Sequence, residues 1–121
     1  MSTALVVEDS LTDTTILAQC LQQGGINVLT ATNAEEVLTK IDSLEADVII
    51  LDIVLPDRSG YEICRELKAK ARTQNIPIII CSTKGSQMDK FWGMKQGADA
   101  YLVKPIDQEE LVSTVKRLLK K

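Results

Sequence analysis

Histidine is absent from the chain, and its three cysteines, Cys20, Cys64 and Cys81, are odd in number and far apart. Both facts argue against a disulfide framework and against a zinc site, which need paired thiols or thiols clustered with imidazoles. The cysteines read instead as small buried hydrophobes. Aromatic residues are also scarce, one Trp, one Phe and two Tyr, and the basic residues do not interleave with them in a stripe. Seventeen acidic against fourteen basic residues leave a net charge of -3. Direct nucleic-acid binding is therefore not expected, because nothing prepares a phosphate-backbone interface. No stretch reaches the ~18 apolar residues that cross a bilayer. The opening MSTALVVEDS lacks the basic region and apolar run of a signal peptide. The expectation is a cytoplasmic protein without membrane insertion.

What is present is a pattern. With 121 residues, 45% of them hydrophobic, the chain has the size of one domain, expected to span residues 1–121. Short apolar runs alternate with segments of helical period: ALVV then LTDTTILAQCLQQ, INVLT then AEEVLTKIDSL, DVIILDI then GYEICRELKAKA, IPIIICS then SQMDKFWGMKQ, and AYLV then QEELVSTVKRLL. Asn33, Ser59 and Asp107 are candidate N-caps, each followed three residues later by Glu36, Glu62 or Glu110. Gly24 and Gly97 punctuate the far ends of the first and fourth helices. The runs VIILDI and IPIIICS are apolar at consecutive positions, as strands covered by helices on both faces must be. The pattern predicts an α/β fold, a doubly wound parallel sheet of five strands with five helices. There is no linker, repeat or low-complexity tract, and the last helix runs to the final lysines. A stand-alone domain is the expectation.

In open parallel sheets, ligands bind outside the carboxyl ends of the strands. Here the first strand ends in Glu8-Asp9, the third in Asp52, the fourth in Ser82 and the fifth in Lys104-Pro105. Any one acid after a strand is ordinarily a turn or capping residue. Four strand ends that bring acids, a hydroxyl and an amine to one rim point instead to chemistry. Three carboxylates, Glu8, Asp9 and Asp52, repel one another and are best reconciled by a hard divalent cation with oxygen ligands; Mg2+ fits, because it takes one or two carboxylates with waters and a phosphate oxygen. Lys104 can pair with Asp52 at rest and with a phosphoryl oxygen afterwards. Ser82 offers a short hydroxyl to another phosphoryl oxygen. Asp52 is then the natural nucleophile, since carboxylates form aspartyl phosphates and surrounding cations stabilise the charge on the transferring group.

At these residues the chain resembles the bacterial response-regulator receiver family over essentially its whole length. VVEDS is similar to the family's acidic pair, LDIVLPDRSG to its phosphoacceptor strand and loop, IIICST to its hydroxyl position, and AYLVKP to its switch aromatic and lysine-proline pair. The resemblance implies a flavodoxin-like strand order, 2-1-3-4-5. It also implies that Asp52 takes a phosphoryl group from a sensor histidine kinase. In that reading Mg2+ is held by Asp9, Asp52 and the Val54 carbonyl, with Glu8 acting through water, and a cis peptide joins Lys104 to Pro105. Ser82 and Tyr101 would form a switch that remodels the surface of the fourth helix, fifth strand and fifth helix for a downstream target protein. Such a chain is a phosphoacceptor that assists its own phosphorylation and dephosphorylation rather than an enzyme. Thr83 departs from the family's usual alanine or glycine and adds bulk beside the phosphate. Val54 and Lys84 stand where the family flanks the path of the attacking water, which makes them candidates for setting the phosphoryl lifetime. Around STKGSQMDKFWGMKQGADAYLVKP the chain is also similar to single-domain regulators of type IV pilus and phototaxis chemotaxis-like systems.

Competing readings are separable on residues. A haloacid-dehalogenase-type phosphatase needs a second aspartate two residues after the first, where this chain has Val54. A flavodoxin-like cofactor protein needs a hydroxyl- and glycine-rich loop after the first strand, where this chain has acids. A degenerate receiver would have lost some of the acids, Ser82 or Lys104, and all are present. Several residues keep two readings. Tyr101 is a half-buried aromatic with a wet hydroxyl or a switch, and Trp92 a core-edge anchor or a partner contact. Lys84 is a shield over the phosphoryl oxygens or a solvated loop lysine, and the terminal KRLLKK a solvated helix end or a partner surface.

Overall fold

The apolar runs form five strands, β1 (Thr3–Val7), β2 (Asn27–Ala31), β3 (Val48–Leu51), β4 (Ile78–Ser82) and β5 (Ala100–Val103), in a computed structural model that describes residues 2–120. All neighbours pair in parallel, in the order β2-β1-β3-β4-β5. Between them run α1 (Leu11–Gln23), α2 (Ala34–Lys40), α3 (Gly60–Ala69), α4 (Gln87–Lys95) and α5 (Gln108–Leu119). The expected five-stranded doubly wound architecture and its strand order are both present.

The consecutive apolar residues of the central strands sort by parity onto two cores. Leu5, Val7, Ile49, Leu51, Ile78 and Ile80 pack with Val37 of α2 and Ile63, Cys64 and Leu67 of α3. Ala4, Val6, Val48, Ile50, Ile79 and Cys81 pack with Leu17 and Leu21 of α1 and Leu111, Val115 and Leu118 of α5. Because successive strand residues face opposite sides, a strand buried on both faces has no position left for a polar residue until it ends. That is why the polar groups of this sheet collect at its rims. The three cysteines are buried and unpaired within these cores. Burial pushes the Cys64 thiol up to about 11 and the Cys81 thiol up to about 12.

Local signals set the helix starts. Ser10 caps α1 through Asp13 N, Asn33 caps α2 through Glu36 N, Ser59 caps α3 through Tyr61 N, and Asp107 caps α5 through Glu109 N. The reciprocal capping box, however, is at Ser86 and Asp89 of α4. Glu36 instead accepts from Thr32 N at 2.7 Å. α2 is shorter than its sequence pattern: it stops at Lys40 and gives way to a 3-10 turn over Ile41–Ser43. The Thr39 hydroxyl donates to the Glu35 carbonyl and the Ser43 hydroxyl to the Lys40 carbonyl, side-chain bonds that compete with regular helix at this point. Among the described residues, no helix is long and apolar enough to cross a membrane.

Candidate functional site

The chain leaves β1 toward β2 on one side and later returns to β3 on the other, so the strand order reverses between β1 and β3. Glu8 follows β1 and Asp52 follows β3 at the carboxyl edge of this reversal, where an open α/β sheet forms its binding crevice. Lys104 directly follows β5 and is joined to Pro105 by a cis peptide.

These three residues meet. The Lys104 ammonium donates to Glu8 Oε2 at 2.6 Å and to Asp52 Oδ2 at 3.1 Å. A third carboxylate joins them, Asp13 Oδ2 at 2.9 Å, from the first turn of α1. Glu8 and Asp52 are buried, and the Lys104 side chain is only 10% exposed. Burial pushes the Glu8 carboxyl up to about 7, against the lowering effect of its Lys104 contact. Burial works to lower the Lys104 pKa, but its bonds to Glu8, Asp13 and Asp52 outweigh it and hold the ammonium above the ordinary lysine range. The cation is thus firmly charged and outnumbered by acids.

The loop after β3 is shaped around Asp52. Asp52 Oδ1 accepts from Val54 N at 3.3 Å, and Val54 and Ser59 form an isolated antiparallel bridge that folds the loop back on itself. Gly60, the first residue of α3, comes so close to the strand that an added Cβ would lie 2.7 Å from Ile53 Cα and nearer still to the Asp52 carbonyl. Only glycine allows that approach. Asp57, at the tip of the loop, accepts from Ala34 N at 2.9 Å and Glu35 N at 3.0 Å, anchoring the loop to the start of α2.

The hydroxyl side of the rim is built on the backbone of one residue, Lys84. Ser82 is fully buried, and its Oγ accepts from Lys84 N at 3.3 Å. The carbonyl of the same Lys84 accepts from the Tyr101 hydroxyl at 2.5 Å. The two residues that the resemblance casts as a switch therefore share the Lys84 backbone. Tyr101 is half-buried with its ring against Gly93, where an added Cβ would come within 2.9 Å of ring carbons. Burial, reinforced by Tyr61, raises its phenol pKa. Tyr61 of α3 in turn donates to the Asp89 carbonyl at 3.1 Å, in the first turn of α4.

Of the sequence-predicted residues, Glu8, Asp52 and Lys104 are in direct contact, with Ser82 beside them in the sheet through Lys104 N and the Ser82 carbonyl. Asp9, Thr83, Lys84 and Val54 are exposed around this centre, Val54 at 55%. The Asp9 carboxylate has no hydrogen-bond partner among the described residues, and no trio of His, Cys, Asp or Glu side chains there is gathered as a metal group. Of the three carboxylates expected to converge, Glu8 and Asp52 meet on Lys104, while Asp9 is exposed. The donor chemistry still suits Mg2+, which needs only one or two carboxylates and completes its shell with carbonyl oxygen and water. Trp92 is 48% exposed on α4, which leaves half of its surface open.

The sequence reading missed Asp13, Asp57 and Tyr61. Asp13 carried the most usable signal: α1 begins four residues after β1 ends, so an acid in its first turn overlooks the same rim.

Comparison with known proteins agrees with this geometry. Residues 4–116 match the family described as "Response regulator receiver domain". The chain is 39% identical over 119 residues to Protein PilH of Pseudomonas aeruginosa, covering 98% of each chain. It is 35% identical to the alkaline phosphatase synthesis transcriptional regulatory protein PhoP of Bacillus subtilis, with 97% of this chain covering 48% of that one, so it spans about half of that relative's length. Among solved structures, the chemotaxis protein CheY4 of Vibrio cholerae superposes with a TM-score of 0.89 at 32% identity over 98% of both chains. A two-component response regulator of Clostridium difficile gives 0.91 at 27% identity, covering 100% of this chain and 98% of that one.

Proposed function

The chain belongs to the response regulator receiver family of two-component signalling, and from that premise we propose that Asp52 accepts a phosphoryl group from a sensor histidine kinase in a Mg2+-dependent reaction. The phosphorylated form then controls a downstream target protein through the surface of α4, β5 and α5. The observation that carries this reading is the Lys104 ammonium on Asp52 Oδ2 at 3.1 Å, at the reversal point of the sheet.

Asp52 attacks phosphorus as the phosphohistidine N–P bond breaks and an O–P bond forms. Lys104 holds Oδ2, so Oδ1, with its longer 3.3 Å contact to Val54 N, is the freer oxygen for attack. Asp9 and Asp52, with the Val54 carbonyl and with Glu8 through water, would hold Mg2+, which when bound neutralises charge on the transferring oxygens. Lys104 then moves to a phosphoryl oxygen, and Ser82 turns its hydroxyl toward another. Turning Ser82 releases Lys84 N. The displaced Lys84 backbone, whose carbonyl holds Tyr101, carries that contact with it, which is how a change at Asp52 reaches β5 and α4.

α4 itself offers exposed apolar side chains. Met88, Phe91 and Trp92 recur at helical spacing on α4 and are 73%, 60% and 48% exposed. A role in motility or taxis is supported by the likeness to PilH and to the chemotaxis protein CheY4. The test is labelling by acetyl phosphate, resolved on phosphate-retaining gels. Wild type should label only with Mg2+, and Asp52→Asn should not label. Equal labelling of Asp52→Asn, or labelling in excess chelator, would remove Asp52 or the metal from the reaction.

A further inference from the structure

An ammonium has three hydrogens, and Lys104 spends each on a different carboxylate, Glu8, Asp13 and Asp52. The three partners are unequally placed: the side chains of Glu8 and Asp52 are 2% and 9% exposed, that of Asp13 is 37% exposed. A phosphorylated Asp52 carries more charge and more acceptor oxygens than the carboxylate it replaces, and the ammonium has no hydrogen in reserve for them. One partner must yield. Water replaces the lysine most readily at Asp13, because its carboxylate is already partly solvated, whereas a buried carboxylate left alone carries the full desolvation penalty. The backbone of Asp13 need not move, since its N–H is held by the N-cap oxygen of Ser10 at 3.3 Å.

We infer that Asp13 is a positioning residue of the phosphotransfer site, one that restrains Lys104 at rest and is released when Lys104 turns to the phosphoryl group. Release also alters the wall of a cleft of about 250 Å3 between α1 and the end of β5, which Asp13 and Lys104 share with Ile16, Leu17, Pro105 and Ile106. The inference rests on the reading of Asp52 as the phosphoacceptor.

The test is calorimetric titration of the full chain with Mg2+ and beryllofluoride, a stand-in for the phosphoryl group. Asp13→Ala should bind about five-fold more tightly than wild type, the scale of one partly exposed ion pair, and the isosteric Asp13→Asn should show the same direction. In a Lys104→Ala background the gain should vanish: Lys104→Ala and the Asp13→Ala/Lys104→Ala double variant should bind alike, however weakly. Unchanged or weaker binding by Asp13→Ala overturns the inference. The same gain without Lys104 also overturns it, because Asp13 would then act only as a distant negative charge. If wild type itself fails to bind beryllofluoride with Mg2+, the phosphoacceptor reading falls and this inference with it; wild-type binding with no gain in Asp13→Ala removes this inference alone.

Discussion

Two lysines close the two rims of one sheet, and they are built for different purposes. Lys68, at the amino edge, donates to the Ile76 carbonyl at 2.9 Å, the Gln74 carbonyl at 3.3 Å and Asp99 Oδ2 at 2.8 Å. Asp99 Oδ2 also accepts from Ile78 N at 2.8 Å. One cation meets one anion, neutral carbonyls complete the set, and nothing more is wanted. Lys104, at the carboxyl edge, meets three carboxylates and no carbonyl. A rim that sought stability alone would resemble the first. The second carries an excess of buried negative charge that a further cation would relieve. That excess, rather than the presence of a lysine, distinguishes a reactive rim from a structural one.

Removing each lysine separates the two roles. Lys104→Ala should still accept phosphate, yet partner binding should no longer depend on phosphorylation, because the lysine reads the phosphoryl group more than it transfers it. Lys68→Ala should keep labelling and response but lose on the order of 1 kcal/mol of stability in urea melts, from the solvent-screened pair with the exposed Asp99 and the part-buried Ile76 carbonyl that loses its donor. A Lys104→Ala variant with wild-type phosphate dependence, or a Lys68→Ala variant that cannot be labelled, would break the contrast.

The next effect is kinetic and confined to the carboxyl edge. Val54 has no polar group to orient an in-line water, and Lys84 brings a cation where an acceptor would help. A slow-decaying phosphoryl form follows, and Val54→Asn with Lys84→Glu should hasten its loss several-fold. Decay is followed after donor removal in Mg2+. Equal or slower decay in the double variant would show that these side chains do not set the lifetime.

The last effect is on pH. Glu8 is raised from 4.5 to about 7 by burial, so between those values the folded chain holds a proton that the unfolded chain has lost. Its contribution to stability must fall as pH rises through that window. Without metal, wild type should lose roughly 2–3 kcal/mol relative to Glu8→Gln between pH 4.5 and pH 7. A difference that moves the opposite way would mean that Lys104 dominates Glu8 and burial does not.

Much of this was legible in the sequence, for reasons that also mark where legibility stops. α1, β5 and α5 follow their apolar pattern closely, because period and caps are local. The strand-end residues Glu8, Asp52, Ser82 and Lys104 were visible because a parallel sheet must deliver its strand ends to one rim. Asp13 was not, since an acid in a first helical turn has a sufficient local explanation in the helix dipole. Its partner is 91 residues away. Asp57 and Tyr61 act across 23 and 28 residues, and no local period encodes such pairings. Trp92 kept two readings, and its half exposure on α4 is compatible with both.

The central claim is that the carboxyl-edge carboxylate Asp52, and no other, carries the phosphoryl group. Hydride reduction of an aspartyl phosphate yields homoserine, so wild type phosphorylated in Mg2+, reduced with borohydride and mapped by peptide mass spectrometry should contain homoserine in place of Asp52 alone. Homoserine in place of Asp9 or Asp13, or none anywhere in labelled protein, would contradict the account.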